Sequence, residues 1–315
     1  MIALADIEAA RERIAGAAIR TPLVRLPVAD APADVYLKLE NLQPISSFKI
    51  RGATNAVRLA PPSATAGGLL TASAGNMAQG VAWAARSLGV PATIAVPEHA
   101  PEAKLAAIAR LGGQVVKLPY DDWWNVIVTS HLDGAEGLFV HPVQDPAVMA
   151  GNGTIGLEII EDLPAPDAVV IPYGGGGLAV GIASAIKALR PETKIYTAEP
   201  ETGAALAAAV AAGHPVDVDY QASFVDGAGS RRVLDTMWPL ITPLIDGALS
   251  VSVAEVAAAV RLMAERARVI AEGAGALALA AALSGQAGSG TVVCVVSGGN
   301  INLDKLAEIL GGADG

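Results

Sequence analysis

Cysteine is nearly absent: Cys294 is the only one among 315 residues. A single thiol cannot build an intrachain disulfide scaffold, so stability has to come from a buried core. Cys294 sits in the apolar run "TVVCVVSGG", where it reads as a small buried hydrophobe. Histidine is scarce as well. His99, His131, His141 and His214 are scattered and make no zinc-ligand spacing, so no metal catalysis is drawn from them. Charge is modest and lopsided, with 21 basic against 31 acidic residues and a net charge of -10. No block of Lys and Arg appears, which argues against a nucleic-acid groove. The chain lacks a basic start followed by an apolar leader, so the expectation is a cytoplasmic protein. It also lacks a membrane span. Residues 168 to 186 carry no charge, yet they contain Pro172 and four consecutive glycines, which point to strand, loop and helix.

What remains is apolar and periodic. Apolar residues make up 52% of a chain long enough for one large or two medium domains. "LADIEAARERIAGA" predicts an opening helix, with Asp6 as its cap and Ile7 and Ile14 on one face. "VYLKLE" alternates as a strand. Between residues 51 and 145, strand patterns ("GLLTAS", "ATIAVP", "QVVKLP") alternate with helix patterns ("MAQGVAWAARSLG", "PEAKLAAIARLG"), the mark of a small parallel α/β unit. "GLFVHP" begins the return, and "NGTIGLEIIEDL" reads as a helix. "AVVIPY", "GLAVGIASAIKAL" and "KIYTAEP" form a second crossover unit, and "TVVCVVSGG" is a late strand. The expected architecture is two open α/β layers. A large domain comprises residues 1–50 and 146–315, a small one residues 51–145, and loops at strand ends line a cleft between them.

Three glycine-rich loops stand at predicted strand ends. In "PYGGGGLAVGIA", Gly174, Gly175, Gly176 and Gly177 join a strand to a helix. Four amides without β-carbons can converge there on the positive end of the helix, which is a phosphate cradle. A plain tight turn would need only one or two glycines. The spacing fits neither a dinucleotide fingerprint nor a Walker loop. In "TASAGNMAQG", Ser73, Ala74 and Gly75 precede a helix start able to hold a carboxylate. Asn76 reads equally as a helix cap or as an amide reaching a ring hydroxyl. In "VVSGGN", Ser297 can bond a heterocyclic nitrogen while the glycines admit a flat ring. Lys49, in "NLQPISSFKIRGATNA", is then well placed to carry an aldehyde cofactor, whereas an isolated Lys would read as a solvated charge.

In combination, "SSFKIRGA", "SAGNMAQG", "HPVQDPAVMAGNGTIGLEI", "GGGGL", "AEP", "DGAG", "AEGAGA" and "SGGN" resemble the fold-type II (tryptophan synthase beta-like) pyridoxal-phosphate enzymes. The resemblance is to their serine/threonine dehydratase and serine racemase group, and it covers roughly Ile14 to Leu310. It implies Lys49 as the Schiff-base lysine with Phe48 near the ring and Asn76 on the cofactor hydroxyl. It places Gly174 to Gly177 with Leu178 at the phosphate, Ser297 on the pyridine nitrogen, and Gly227 and Glu272 close by. Ser73, Ala74, Gly75 and Met77 would hold the substrate. His141 would be structural. The implied reaction turns a 3-hydroxy amino acid such as L-threonine or L-serine into a 2-oxo acid and ammonia, in a homodimer.

Four features depart from the family's pattern. Ala74 replaces the serine that acts as second base in racemases, so dehydration is favoured over racemisation. Met77 replaces the usual His and makes the pocket more apolar. The divalent-cation site of relatives maps to Glu199 and the Gly203 carbonyl, but its aspartate position is Ala205, so a cation is uncertain. Finally, Trp123 and Trp124 follow a predicted strand where relatives carry smaller or charged residues. Adjacent helix positions do not share a face, so at most one reaches the cleft, and the plainer reading makes both packing residues. A bulkier or aromatic substrate such as phenylserine is therefore an alternative. Racemisation, β-replacement and a non-enzymatic sensor are the other readings. The chain leaves no room after its last strand for a regulatory domain, so end-product control within it is not expected.

Overall fold

In the computed structural model, which describes residues 1–312, the strands form two sheets. The chain enters the first sheet with β1 (Leu23–Arg25) and β2 (Asp34–Leu39). It leaves to build the second from β3 (Leu69–Ala72), β4 (Ala92–Pro97), β5 (Gly113–Leu118) and β6 (Leu138–Phe139). It then returns with β7 (Ala168–Pro172), β8 (Lys194–Pro200), β9 (Gly247–Val251) and β10 (Thr291–Val296). The spatial orders are β1-β2-β10-β7-β8-β9 and β5-β4-β3-β6. Every pairing is parallel except β1 with β2. Parallel strands covered on both faces read as continuous apolar runs, and β7 is buried at every position. Cys294 lies wholly buried in β10, with its thiol against the Ala278 carbonyl.

Helices pack close where glycine allows it. The Pro146–Asp162 helix starts at Asp145, whose side chain accepts from the Ala147 amide, with Pro146 in the first turn. It lies against the Gly177–Leu189 helix so tightly that a β-carbon on Gly181 would sit 2.3 Å from the Met149 carbonyl. The opening helix, Leu4–Ile14, buries Ile7 and Ile14 as its periodicity requires. Asp6, however, is not its cap: it lies inside the first turn, and Ala3 takes the cap position without a side-chain bond. Its charge still faces the positive helix end. The Lys49–Leu59 helix runs unbroken across the expected boundary at residue 50 and packs against both the Asn76–Leu88 and Pro146–Asp162 helices. Short β1 and β9, and the helices Val253–Leu262, Gly273–Leu283 and Leu303–Leu310, go unread in the sequence. The first of those helices carries a legible signal, a Ser252/Glu255 capping box.

A buried charge network ties these parts together. Arg51, 1% exposed, donates to both oxygens of Glu40, both oxygens of Glu158, Thr154 Oγ1 and the Ile19 carbonyl. Lys38 Nζ, on β2, donates to Glu158 and to the Thr21 carbonyl, both at 2.6 Å, and Thr21 Oγ1 donates to Glu40. Two cations and two anions cancel in the interior. Burial alone would raise the Glu40 carboxyl, but the Arg51 charge and its hydrogen bonds hold it below the ordinary carboxylate value.

Removing one partner strands the others in a dry interior. Arg51→Met is expected to lose about 3–5 kcal/mol of unfolding free energy at pH 7, measured by urea denaturation. The exposed Arg25–Asp34 pair supplies the control: Arg25→Met should change stability by about 1 kcal/mol or less. Because the Glu40 pKa is depressed in the fold, the Arg51 contribution is present above about pH 4 and fades in stronger acid. Equal losses for the two variants would contradict this account.

Candidate active site

The network fixes the helix that begins at Lys49. Residues two apart on a helix point about 200° apart, so Arg51 enters the network while Lys49 faces the opposite way, into a cavity of about 490 Å³. The approach to Lys49 is stitched to the loop after β10. Phe48 N donates to the Ser297 carbonyl at 3.0 Å, Gly299 N to the Ser46 carbonyl at 2.9 Å, and Ser47 bridges Gly298. Ser46 sits at φ 55, a left-handed conformation that costs a non-glycine residue about 1–3 kcal/mol. The stitches hold it there. Lys49 Nζ donates to the Pro142 carbonyl at 2.9 Å, 5.2 Å from the Phe48 ring centre. Burial lowers its pKa to about 8, so the amine is poised between its two states.

The same cavity is lined by Phe48, Ser73, Ala74, Gly75, Asn76, Met77, Gly174 to Gly177, Leu178, Gly227, Glu272 and Ser297. Every expected cofactor and substrate residue is thus in one place. The glycine loop is shaped by Val143, on the loop after β6: a β-carbon on Gly175 would lie 2.3 Å from its Cγ2, and one on Gly177 2.9 Å from its carbonyl oxygen. Gly176, at φ 97, caps the following helix without a side-chain bond. The result is a cradle of bare amides at a helix N-terminus, suited to a phosphate.

Asn76 is not a helix cap. Gly75 occupies that position, and Asn76 Nδ2 donates to Glu272 Oε1 at 2.7 Å while its Oδ1 accepts from Asn300 Nδ2 at 2.8 Å. This chain of polar groups crosses from the small sheet's side to the large one's. Burial pushes the Glu272 carboxyl up to about 7, against the Asn76 hydrogen bond and with the help of Asp226. A β-carbon on Gly298 would lie 2.3 Å from Glu272 Oε1, so a side chain there would displace that carboxylate. At the cavity mouth Lys104 pairs with Asp226, a second tie between the two sides.

Sequence patterns do not reveal Pro142, Val143, Lys104 or Asp226 as members of this site. The "HPVQDP" stretch holds the nearest signal. His141 Nδ1 accepts from the Val143 and Gln144 amides, which requires the neutral tautomer, and burial also lowers its pKa. That turn presents the Pro142 carbonyl to Lys49. Trp123 lines the cavity and Trp124 lies outside it, 45% exposed.

The cation candidates lie elsewhere. Glu199, fully buried, accepts from the Leu206 and Ala207 amides at 3.0 and 2.9 Å and so caps the Ala205–Ala212 helix. Gly203 O accepts from Ser230 N, and Ala205 offers no ligand. Among the described residues no three His, Cys, Asp or Glu side chains gather in a metal-holding group. The Glu199 carboxylate and the Gly203 carbonyl are thus both engaged within the protein.

Comparison with known proteins agrees with the geometry. The family model for pyridoxal-phosphate dependent enzymes matches residues 14–298. The L-threonine ammonia-lyase of Thermotoga maritima is 38% identical over 315 residues, 98% of this chain and 78% of that one. The structure of maize serine racemase superposes with a TM-score of 0.90 at 31% identity, covering 97% of this chain and 95% of that one. The processed form of threonine deaminase isoform 2 from Solanum lycopersicum gives 0.88 at 34%, covering 98% and 92%. The chain belongs to the pyridoxal-phosphate-dependent enzymes, with the fold-type II architecture. The cavity fits that cofactor: an amine of lowered pKa, a cradle of bare amides and a serine hydroxyl line one space.

The depressed Lys49 pKa has a direct readout. In protein stripped of cofactor, acetylation of Lys49 measured by mass spectrometry should reach half its maximum near pH 8, rising with pH as the neutral amine appears. A midpoint near that of exposed lysines, above pH 10, would remove the basis for a poised amine.

Proposed function

We propose that this pyridoxal-phosphate-dependent enzyme is a dehydratase that converts a 3-hydroxy amino acid, such as L-threonine or L-serine, to a 2-oxo acid and ammonia. The observation that carries this is the pairing of one basic amine, Lys49, with a facing loop whose corresponding position is Ala74. Both line the cavity. The relatives named for threonine ammonia-lyase and threonine deaminase agree with it.

Lys49 would carry the cofactor covalently, Gly174 to Gly177 would hold its phosphate, and Ser297 would meet its ring nitrogen. Bound pyridoxal phosphate supplies an electron sink for the bond broken at the substrate Cα. Lys49 Nζ, when not itself bonded to the cofactor, would be the group to accept the Cα proton, and a pKa near 8 suits an amine that must be neutral to do so. The Ser73–Gly75 loop, at the uncapped start of the Asn76–Leu88 helix, holds the substrate carboxylate. Loss of the β-hydroxyl as water leaves an enamine, which hydrolyses to the 2-oxo acid and ammonia. Ser297, being neutral, does not force a proton onto the ring nitrogen, which suits prompt elimination. Ala74 has no proton to give on the opposite side.

Without a second acid–base group racemisation should be slowed by about 10²–10⁴-fold, leaving elimination in excess. Chiral chromatography of recovered substrate beside a 2-oxo acid assay measures the ratio. Lys49→Ala should abolish turnover and leave borohydride no lysine adduct to trap at this position. Rapid inversion without ammonia release would overturn the dehydratase reading.

A further inference from the structure

The cavity wall on the small sheet's side has a chemistry that the reaction itself does not require. Trp123 and Ile127 are four residues apart on the Tyr120–Thr129 helix, so they share one face. Both line the cavity, while Trp124 and Val128, the next positions of that helix, are 45% and 66% exposed. Trp123 does not float: its Nε1 donates to the Ala95 carbonyl at 3.2 Å, and its ring centre lies 5.7 Å from that of Tyr120. Pro97, at the end of β4, and Met77, in the first turn of the Asn76–Leu88 helix, extend the same apolar wall. Met77 is 2% exposed and unbranched, so it can repack around a guest. The charged groups at the mouth, Lys104 and Asp226, already satisfy each other.

We infer that Trp123, Ile127, Met77 and Pro97 form the binding surface for the substrate's β-substituent, and that the enzyme prefers 3-hydroxy amino acids whose β-substituent is apolar or aromatic. This rests on the dehydratase reading and narrows it. A fixed indole edge gives an aromatic or methyl group dispersion contacts that a hydrogen cannot make. A charged β-substituent would face the apolar side chains of Trp123, Ile127, Met77 and Pro97, so it is disfavoured. Serine, with only hydrogen at that position, leaves the surface unused. The predicted order is serine below threonine below phenylserine, with threo-3-hydroxyaspartate below all three.

The test compares kcat/KM for these four L-amino acids in the holoenzyme. Phenylserine is expected to exceed serine by about 10-fold or more, the scale of one well-placed apolar group. Trp123→Ala should erase most of that advantage while Trp123→Phe keeps it, which separates a lost surface from a misfolded protein. An independent readout is calorimetric binding of amino acids that lack a leaving hydroxyl: L-phenylalanine should bind about 10-fold more tightly than L-alanine. Turnover of serine and threonine with phenylserine no better than serine would overturn the inference and spare the dehydratase. No turnover of any of the four by enzyme carrying cofactor on Lys49 would overturn both.

Discussion

The position of Lys49 depends on an arginine that never meets the cavity. Arg51 is buried among Glu40, Glu158, Thr154 and the Ile19 carbonyl, so its donors reach three separate stretches of chain. Apolar side chains of the same volume would be as stabilising, but they would tolerate rotation of the helix and sliding along its axis. A planar guanidinium bonded to two carboxylates at once tolerates neither. The network sets the rotation of the Lys49–Leu59 helix, and that rotation aims Lys49 into the cleft. Strain at Ser46, three residues before Lys49, is held separately by the hydrogen bonds to the loop after β10.

Around that fixed amine the site is built mainly from backbone. The phosphate cradle, the Gly298 gap beside Glu272 and the Pro142 carbonyl that receives Lys49 Nζ are main-chain features. Side chains contribute mostly by exclusion: the Val143 side chain presses on Gly175, so a methyl there would meet it at once. Gly175 and Gly177 have to be glycine because Val143 leaves no space for a side chain at either. The polar chain Glu272–Asn76–Asn300 then joins the two sides of the cleft.

How much of this was legible varies with the physics involved. Lys49, the four glycines and Ser297 could be read because each lies at a strand end or helix start, where local pattern and chemistry coincide. Most strands and helices were legible for the same reason of periodicity. β1 has only three residues, β9 is a half-exposed edge strand without a continuous apolar run, and the Gly273–Leu283 helix is nearly all small and apolar, so it presents no polar face. The Arg51 network was invisible, since its members are spread from Thr21 to Glu158 and pair only in three dimensions. Asn76 stood open between cap and ligand, and the cap fell because Gly75 takes that position. Of the paired tryptophans the sequence allowed at most one into the cleft; helix phase selected Trp123. Glu199 kept its burial but serves a helix end, a role that one lost aspartate position could only hint at.

The Lys104–Asp226 pair gives the cleft a door whose hinge is diffusion rather than chemistry. Both partners are partly in water, where such a contact is worth about 1 kcal/mol or less, not far above thermal energy. A contact that weak can neither lock a ligand in nor keep one out. What it can do is bias the traffic. Ions in the medium compete for both ends, so the tempo of entry and exit would follow the saltiness of the surroundings even though the reacting groups beneath are shielded from it.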